Sequence, residues 1–267
     1  MSSRLIVSCL AKNEASKYWK SCIDAWSQFA DKILVLDDSS TDETREVALQ
    51  SPIVTLATRD PSESAWGAES PARALQWQMA MEHSSEGDFI FVLDADMVPA
   101  NDPRDLLNDE CDTYFFALYD LWDSLSIVRC QHDAPYCLAA QECECPGIHR
   151  LYYRDDHFWQ GHNNARAWMV RRPPDSFVAE WGGRGIHCGH LPPNWRATAP
   201  YFAPRDYSLL HYAYADARDR EAKWTQYSEV GKLLSTSEFT HAQSILDPNP
   251  SLKLLPLVPR WPLQRAT

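Results

Sequence analysis

Two acidic clusters stand where short apolar runs end: Asp37-Asp38 after Lys32–Leu36, and Asp94-Ala95-Asp96 after Phe89–Leu93. Alternation along an extended segment turns Asp94 and Asp96 to one side and Ala95 to the other. Paired carboxylates repel unless a cation lies between them, and hard divalent ions take oxygen ligands and bridge to substrate phosphates. The competing reading is that these aspartates only end strands and cap helices. A second group is Cys130, Cys137, Cys143 and Cys145 with His132 and His149. Thiolate and imidazole suit tetrahedral zinc. Irregular gaps and a lone C-x-C instead of paired C-x-x-C favour ordinary reduced cysteines.

The elements that would carry the aspartates alternate. Arg4–Cys9, Lys32–Leu36, Ile53–Ala57 and Phe89–Leu93 read as strands. Between them lie helices over Ser16–Phe29, over Thr41–Gln50 behind a Ser40/Glu43 capping box, and over Ala72–His83 with Ser70 as N-cap. Such alternation predicts an α/β fold with a mostly parallel central sheet and helices on both faces. In such sheets ligands sit beyond the carboxyl ends of the strands, where both acidic clusters fall. Beyond residue 100 the pattern is less regular. Strands are expected at Thr113–Tyr119, Ser126–Cys130, Ile148–Arg154 and Arg166–Arg171, mostly loop over Asp175–Pro204, and a helix over Ala217–Leu234. The last twenty residues carry five prolines and read as an extended tail or a wrap along the body. One division follows: a ligand-binding half at 1–100, a smaller irregular half at 101–246 and a tail at 247–267.

Bulk properties narrow the field. A chain of 267 residues, 45% hydrophobic, buries a substantial core. No apolar stretch is long enough to span a bilayer, and no signal peptide is visible, so a soluble cytoplasmic protein is expected. Disulfides are disfavoured there. A net charge of −12 argues against a broad grip on nucleic acid or anionic lipid.

Three segments together carry a resemblance. Leu5-Ile-Val-Ser-Cys-Leu-Ala-Lys-Asn-Glu14, Ile33-Leu-Val-Leu-Asp-Asp-Ser-Ser-Thr-Asp42 and Gly87-Asp-Phe-Ile-Phe-Val-Leu-Asp-Ala-Asp96 resemble the family 2 glycosyltransferases of GT-A (Rossmann-like) fold, in order and approximate separation. The match covers about residues 4–100. It implies a hexosyl transfer from a nucleoside-diphosphate sugar, UDP favoured, to a hydroxyl acceptor, with Mn²⁺ or Mg²⁺. Asn13 and Glu14 fall in the nucleotide-binding loop. Asp38 resembles the residue that holds the base, with Asp37 near the ribose. Arg73 resembles an arginine that reaches the nucleotide, its alternative being a solvated helix charge. Asp96 resembles the metal ligand, and Asp94 its ribose- or water-contacting neighbour. His211 resembles a third metal ligand, against the alternative of a core histidine beside Tyr212, with His187 and His190 as rivals. The Glu-Asp pair that supplies a general base in many inverting members is absent. Glu180 and Asp175 are the nearest substitutes, with Asp155 and Asp156 behind them.

Eleven tryptophans are many for this length. Trp66, Trp159, Trp168, Trp181 and Trp195 fall where rings could stack on sugars in an acceptor groove or pack in a core. The acceptor itself is open: glycan, protein side chain, small metabolite or a modified DNA base, the last needing a local basic strip from Arg166, Arg171, Arg172, Arg184 and Arg196. Two rival functions remain. Phe89–Val98 looks like the nucleophile strand of a haloacid-dehalogenase phosphatase, with Asp94 attacking and Asp96 as acid–base, but that family needs it on the first strand. A non-catalytic nucleotide- or glycan-binding module of the same fold is the other.

Overall fold

The apolar runs of the first hundred residues form strands in parallel register, buried on both sides except in the edge strand Val54–Thr58, whose side chains are half-buried or exposed. In a computed structural model that describes residues 3–60, 69–122, 151–182, 188–229 and 236–266, β1 (Leu5–Ala11) pairs with β2 (Lys32–Asp37) and β4 (Phe89–Asp94). β2 pairs in turn with β3 (Val54–Thr58). Alternate side chains divide between two cores. Leu5, Val7, Ile33, Val35, Phe89 and Phe91 pack against Trp19, Cys22 and Trp26 of α1 (Trp19–Trp26) and Ala48 of α2 (Thr44–Ala48). Ile6, Leu34, Ile90 and Val92 face Trp77, Met79 and Ala80 of α3 (Glu69–His83) on the opposite side. The fold is thus α/β, with helices covering both faces of the sheet.

The second half extends this sheet and builds another. After β5 (Met97–Pro99), the expected strand Thr113–Tyr119 divides at Ala117 into β6 (Thr113–Phe116) and β7 (Leu118–Trp122). β6 lies between β9 (Arg166–Arg171) and β10 (Pro200–Phe202), completing a seven-stranded sheet in the order β10-β6-β9-β4-β1-β2-β3, in which β9 runs antiparallel to both neighbours. β7 joins β8 (Tyr152–Arg154), β11 (Leu209–His211), β5 and β12 (Leu252–Leu254) in a five-stranded sheet. α4 (Ala217–Glu229) follows β11, and α5 (Thr236–Ser244), which matches no element expected from the sequence, precedes β12.

Both capping expectations are corrected. Helix α2 starts at Thr44 without a side-chain cap, and Ser40 Oγ instead accepts from Asn13 N (2.9 Å). Ser70 lies inside α3, where its hydroxyl donates to Gly182 O. After β12 the chain wraps the body: Arg260 N donates to Ala100 O, Leu263 N to Tyr212 Oη and Ala266 N to Lys17 O. None of the described helices is long and apolar enough to cross a membrane. Cys9, Cys22, Cys111 and Cys188 are free thiols. The Cys130–Cys145 group with His132 and His149, the expected strand at Ser126–Cys130, Trp66, Arg184 and His187 lie outside the described residues.

Candidate active site

Parallel strands bring their carboxyl ends to one edge, and a cleft of about 930 Å³ opens there. It runs from Lys12, Asp38 and Arg59 at the ends of β1, β2 and β3, past Asp94 and Asp96, to Asp120, Phe158 and His241 at the second sheet. Two loops on this edge have non-glycine residues with positive φ, Asn13 (54°) and Ser39 (60°), a conformation held only where surrounding contacts over-determine it. Asn13 Oδ1 accepts from Thr41 N (2.8 Å), lashing the loop after β1 to the loop after β2. Ser39 Oγ donates to Arg59 O (2.6 Å).

At this end the two neighbouring aspartates part company. Asp37 is fully buried and accepts from Ser40 N, so it shapes the turn and does not line the cleft. Asp38 lines it and is held by Arg59 Nη1 (2.6 Å), with Lys12 Nζ at 3.5 Å. The Arg59 side chain is 2% exposed, which makes it part of the wall. Asn13 is exposed and does not line the cleft, whereas Glu14 does. Glu14 Oε1 accepts from Lys17 Nζ (3.1 Å), while its buried Oε2 has no hydrogen-bond partner among the described residues. Burial, with Asp96 close by and Lys17 opposing, raises the Glu14 carboxyl to about 7.

Asp94 closes β4, but Asp96 lies in the turn between β4 and β5, so the alternation argument does not apply to the pair. They have different partners. Asp94 Oδ1 accepts from Arg73 Nη2 (2.9 Å) and Oδ2 meets His190 Nε2 (3.0 Å). Burial works against the Asp94 charge, yet His190 and Arg73 outweigh it and hold the carboxyl well below its usual range. Arg73 is buried and bonded also to Glu69 and Gln76, which overturns its reading as a solvated helix charge. Asp96 Oδ1 instead lies 3.4 Å from His211 Nε2, and His211 Nδ1 lies 2.7 Å from Asp120 Oδ1. Burial opposes the imidazolium, but Asp96 and Asp120 on either side prevail and raise His211 to about 9.

The donor set suits a hard or borderline divalent ion. A carboxylate and an imidazole face each other at Asp96 and His211, Asp120 bonds the other ring nitrogen, and a partnerless buried oxygen of Glu14 stands on the same cleft. No group of three or more His, Cys, Asp or Glu side chains among the described residues could hold a metal alone. The arrangement therefore fits an ion that keeps one or two protein ligands and completes its shell with substrate phosphate oxygens. Asp94, with both oxygens engaged, is the less suitable ligand of the two aspartates.

Other expected residues lie elsewhere. Asp175 is 88% exposed, pairs with Arg172 (2.6 Å) and lines a shallow hollow against Trp77 and Phe177, outside the cleft. Glu180 is exposed, its backbone N–H bound by Asn194, and it too is absent from the cleft wall. Neither is placed to meet an acceptor in the cleft. Asp155 and Asp156 are taken up by Lys253 and Arg154. Trp159 and Trp168 line the cleft, whereas Trp181 and Trp195 pack on the α3-side core. Arg171 pairs with Asp109, Arg172 with Asp175, and Arg196 caps carbonyls of Pro193 and Trp195, so these three form no shared strip.

Arg59, Asp120 and Lys223 carry no motif, and sequence reasoning missed them. Arg59 follows β3 by one residue, so the strand-end rule that singled out Asp38 applies equally to it. Lys223, on α4, lines the cleft, and Asp96, Tyr227 and Glu14 raise its pKa against the effect of burial.

No protein-family model matches the chain, and no curated protein matches it. Among solved structures it is similar to glucosyl-3-phosphoglycerate synthase from Mycobacterium tuberculosis in complex with Mn²⁺, UDP and glucosyl-3-phosphoglycerate, with 21% identity over 44% of each chain and a TM-score of 0.32. The same enzyme in complex with Mg²⁺ and UDP gives the same identity, coverage and TM-score. A mycobacterial protein matches with 20% identity over 44% of this chain and 42% of that one, TM-score 0.34. The chain thus spans less than half the length of each of these structures.

Proposed function

We propose that the chain is a metal-dependent glycosyltransferase of family 2 and GT-A type, moving a hexosyl group from a UDP-sugar to a hydroxyl acceptor. The carrying observation is convergence. Asp38 with Arg59, Asp94 with Arg73, and Asp96 with His211 come from separate parts of the chain to one cleft at the strand ends. Asp38 accepts the uracil N–H, and Arg59, 2.6 Å away, holds its carboxylate in orientation. Asp96 and His211 would hold Mn²⁺ or Mg²⁺, leaving the rest of its shell to diphosphate oxygens. Bound there, the ion supplies Lewis-acid stabilisation of the leaving diphosphate. Lys223 adds a positive charge on the same wall, and Asp94, fixed by Arg73 and His190, positions the donor. In this division residues 1–100 bind the donor and much of 101–246 faces the acceptor.

The phosphatase reading needs a free Asp94 oxygen as nucleophile, and both are engaged by Arg73 and His190. A non-catalytic module is separated from an enzyme by donor hydrolysis. Titration calorimetry with UDP, with and without Mn²⁺, followed by a hydrolysis assay with UDP-hexoses, tests the proposal. Metal-dependent UDP binding lost in a folded Asp96→Ala variant supports it. Metal-independent binding, or none, refutes it.

A further inference from the structure

Beyond the metal, the cleft ends in an aromatic wall. Phe158, 37% exposed, and Trp159, 1% exposed, are neighbours in sequence, and both line the cleft with His241 of α5. Trp159 is fixed from three sides: its Nε1 donates to Ser244 Oγ (3.1 Å), and its ring meets Tyr214 at 4.7 Å and His241 at 4.5 Å, edge to face. The Phe158 ring lies near-parallel to His241 at 6.2 Å and remains part-open to the cleft. A glycine brings this wall close to a carboxylate. At Gly161 an added Cβ would come within 2.9 Å of Leu118 O, so only glycine lets the segment lie against β7, beside Asp120. Asp120 gives Oδ1 to His211, and its Oδ2 lies on the Gly161 side.

Rigid aromatic faces beside a carboxylate acceptor recognise a molecule with an apolar face and hydroxyl groups at its rim. Among the described residues the cations near this wall are committed to the fold or to acidic neighbours: Lys223, with Nζ 5.8 Å from the centre of the Tyr214 ring, is balanced by Asp96 and Glu14. Arg154, which stacks on Trp122 and Trp159, is 2% exposed and bonded to Asp156, Asp247 and Ser244 O. Arg220 lies over Trp122 and donates to Tyr214 O. Both guanidiniums stand behind the rings and serve the fold. Arg166 is the cation of β9 on the cleft, a lone exposed charge without a second basic group beside it on the strand.

We infer that the Phe158/Trp159/His241 wall is the acceptor subsite and that it takes a neutral pyranose, the hydroxyl-bearing ring of a glycan. Stacking places the flat face of the sugar on Phe158, and Asp120 Oδ2 accepts from a ring hydroxyl. The inference rests on the glycosyltransferase reading for the word acceptor, but the subsite binds sugar whether or not a donor is present.

The test uses cellotriose and maltotriose as neutral probes and glycerol phosphate as the anionic one, with saturation-transfer NMR and tryptophan emission on the full chain. At least one trisaccharide is expected to bind, Phe158→Ala to weaken it roughly 3–10-fold, and Phe158→Tyr to retain it. The variant leaves Mn²⁺-dependent UDP affinity unchanged. Trisaccharide affinity equal in Phe158→Ala and wild type, or glycerol phosphate bound in preference to both sugars, overturns the inference. The two readings fail separately. UDP–Mn²⁺ bound without either sugar sinks the subsite alone. Phe158-dependent sugar binding without UDP–Mn²⁺ upholds the subsite and sinks the transferase.

Discussion

Asp120 Oδ1 and His211 Nδ1 lie 2.7 Å apart because β7 and β11 run parallel with these two residues in register. The bond fixes the ring so that Nε2 faces Asp96. A carboxylate on the far nitrogen of a ligating histidine sets its tautomer and raises its basicity as a ligand, and losing such a partner typically costs roughly 10–100-fold in metal affinity. Asp120→Asn is therefore expected to weaken Mn²⁺ binding by about that factor while the fold persists. Calorimetry with Mn²⁺ and UDP measures it, and unchanged affinity would remove Asp120 from the metal's surroundings.

Asp38 and Arg59 make a buried pair at the end of the cleft formed by β2 and β3. A carboxylate there can accept the N–H of uracil, so the wild type is expected to prefer UDP over GDP and ADP, and Asp38→Asn to lose that preference. Arg59→Gln leaves the buried carboxylate without its strongest donor and should cost about 1–3 kcal/mol of stability. Competition binding and chemical denaturation read the two effects. Equal affinity of the wild type for all three nucleotides would contradict the first.

Stability should also record a carboxylate far from the cleft. Asp88 accepts from Arg4 Nε (3.1 Å), Arg4 N and Ser85 N, joining the start of β1 to the end of α3. Burial tends to raise its pKa, but these donors, Arg4 foremost, lower it below its usual value. A depressed folded-state pKa gives stability that is present above the unfolded value, about 3.9, and lost as pH falls through the folded value. The wild type should thus lose stability below about pH 4 more steeply than Asp88→Asn. Denaturation midpoints measured from about pH 2 to about pH 7 check this. Parallel acid limbs would count against it.

Legibility followed the physics of each half. Phe89–Leu93 is continuous, apolar and branched, and a helix such as α1 writes its buried stripe at Trp19, Cys22, Ile23 and Trp26. Those signals gave the parallel sheet and, through the strand-end rule, Asp38 and Asp96. The split at Ala117 was not legible, because Thr113–Trp122 is one nearly unbroken apolar run and only tertiary pairing sends β6 to one sheet and β7 to the other. Asp120 was hidden with it. Helix α5 escaped because its sequence, Thr-Ser-Glu-Phe-Thr-His-Ala-Gln-Ser, has no strong amphipathic stripe. Charge pairing, which decides that Arg73 serves Asp94 and that Asp175 serves Arg172, is a distance and has no one-dimensional signature.

The segment after β12 joins packing to the cleft. Leu255 and Leu263 are buried at 7% and 4% exposure, and Trp261 meets Phe29 at 5.2 Å. Arg265 Nη2 reaches Asp219 (2.7 Å), and Ala266 N bonds Lys17 O, so the same strap touches two residues that line the cleft. Burying each leucine contributes about 1.5–3 kcal/mol. The double variant Leu255→Ala/Leu263→Ala is therefore expected to lower stability by several kcal/mol, with a cavity cost added to the lost transfer energy. Arg265→Ala removes the bond to Asp219 without emptying the core, so its effect should appear in ligand affinity more than in the melting temperature. Thermal denaturation of both variants, with Mn²⁺–UDP titration of the second, separates the two roles. A double variant that melts with the wild type would mean that the strap lies on the surface without bearing on the core.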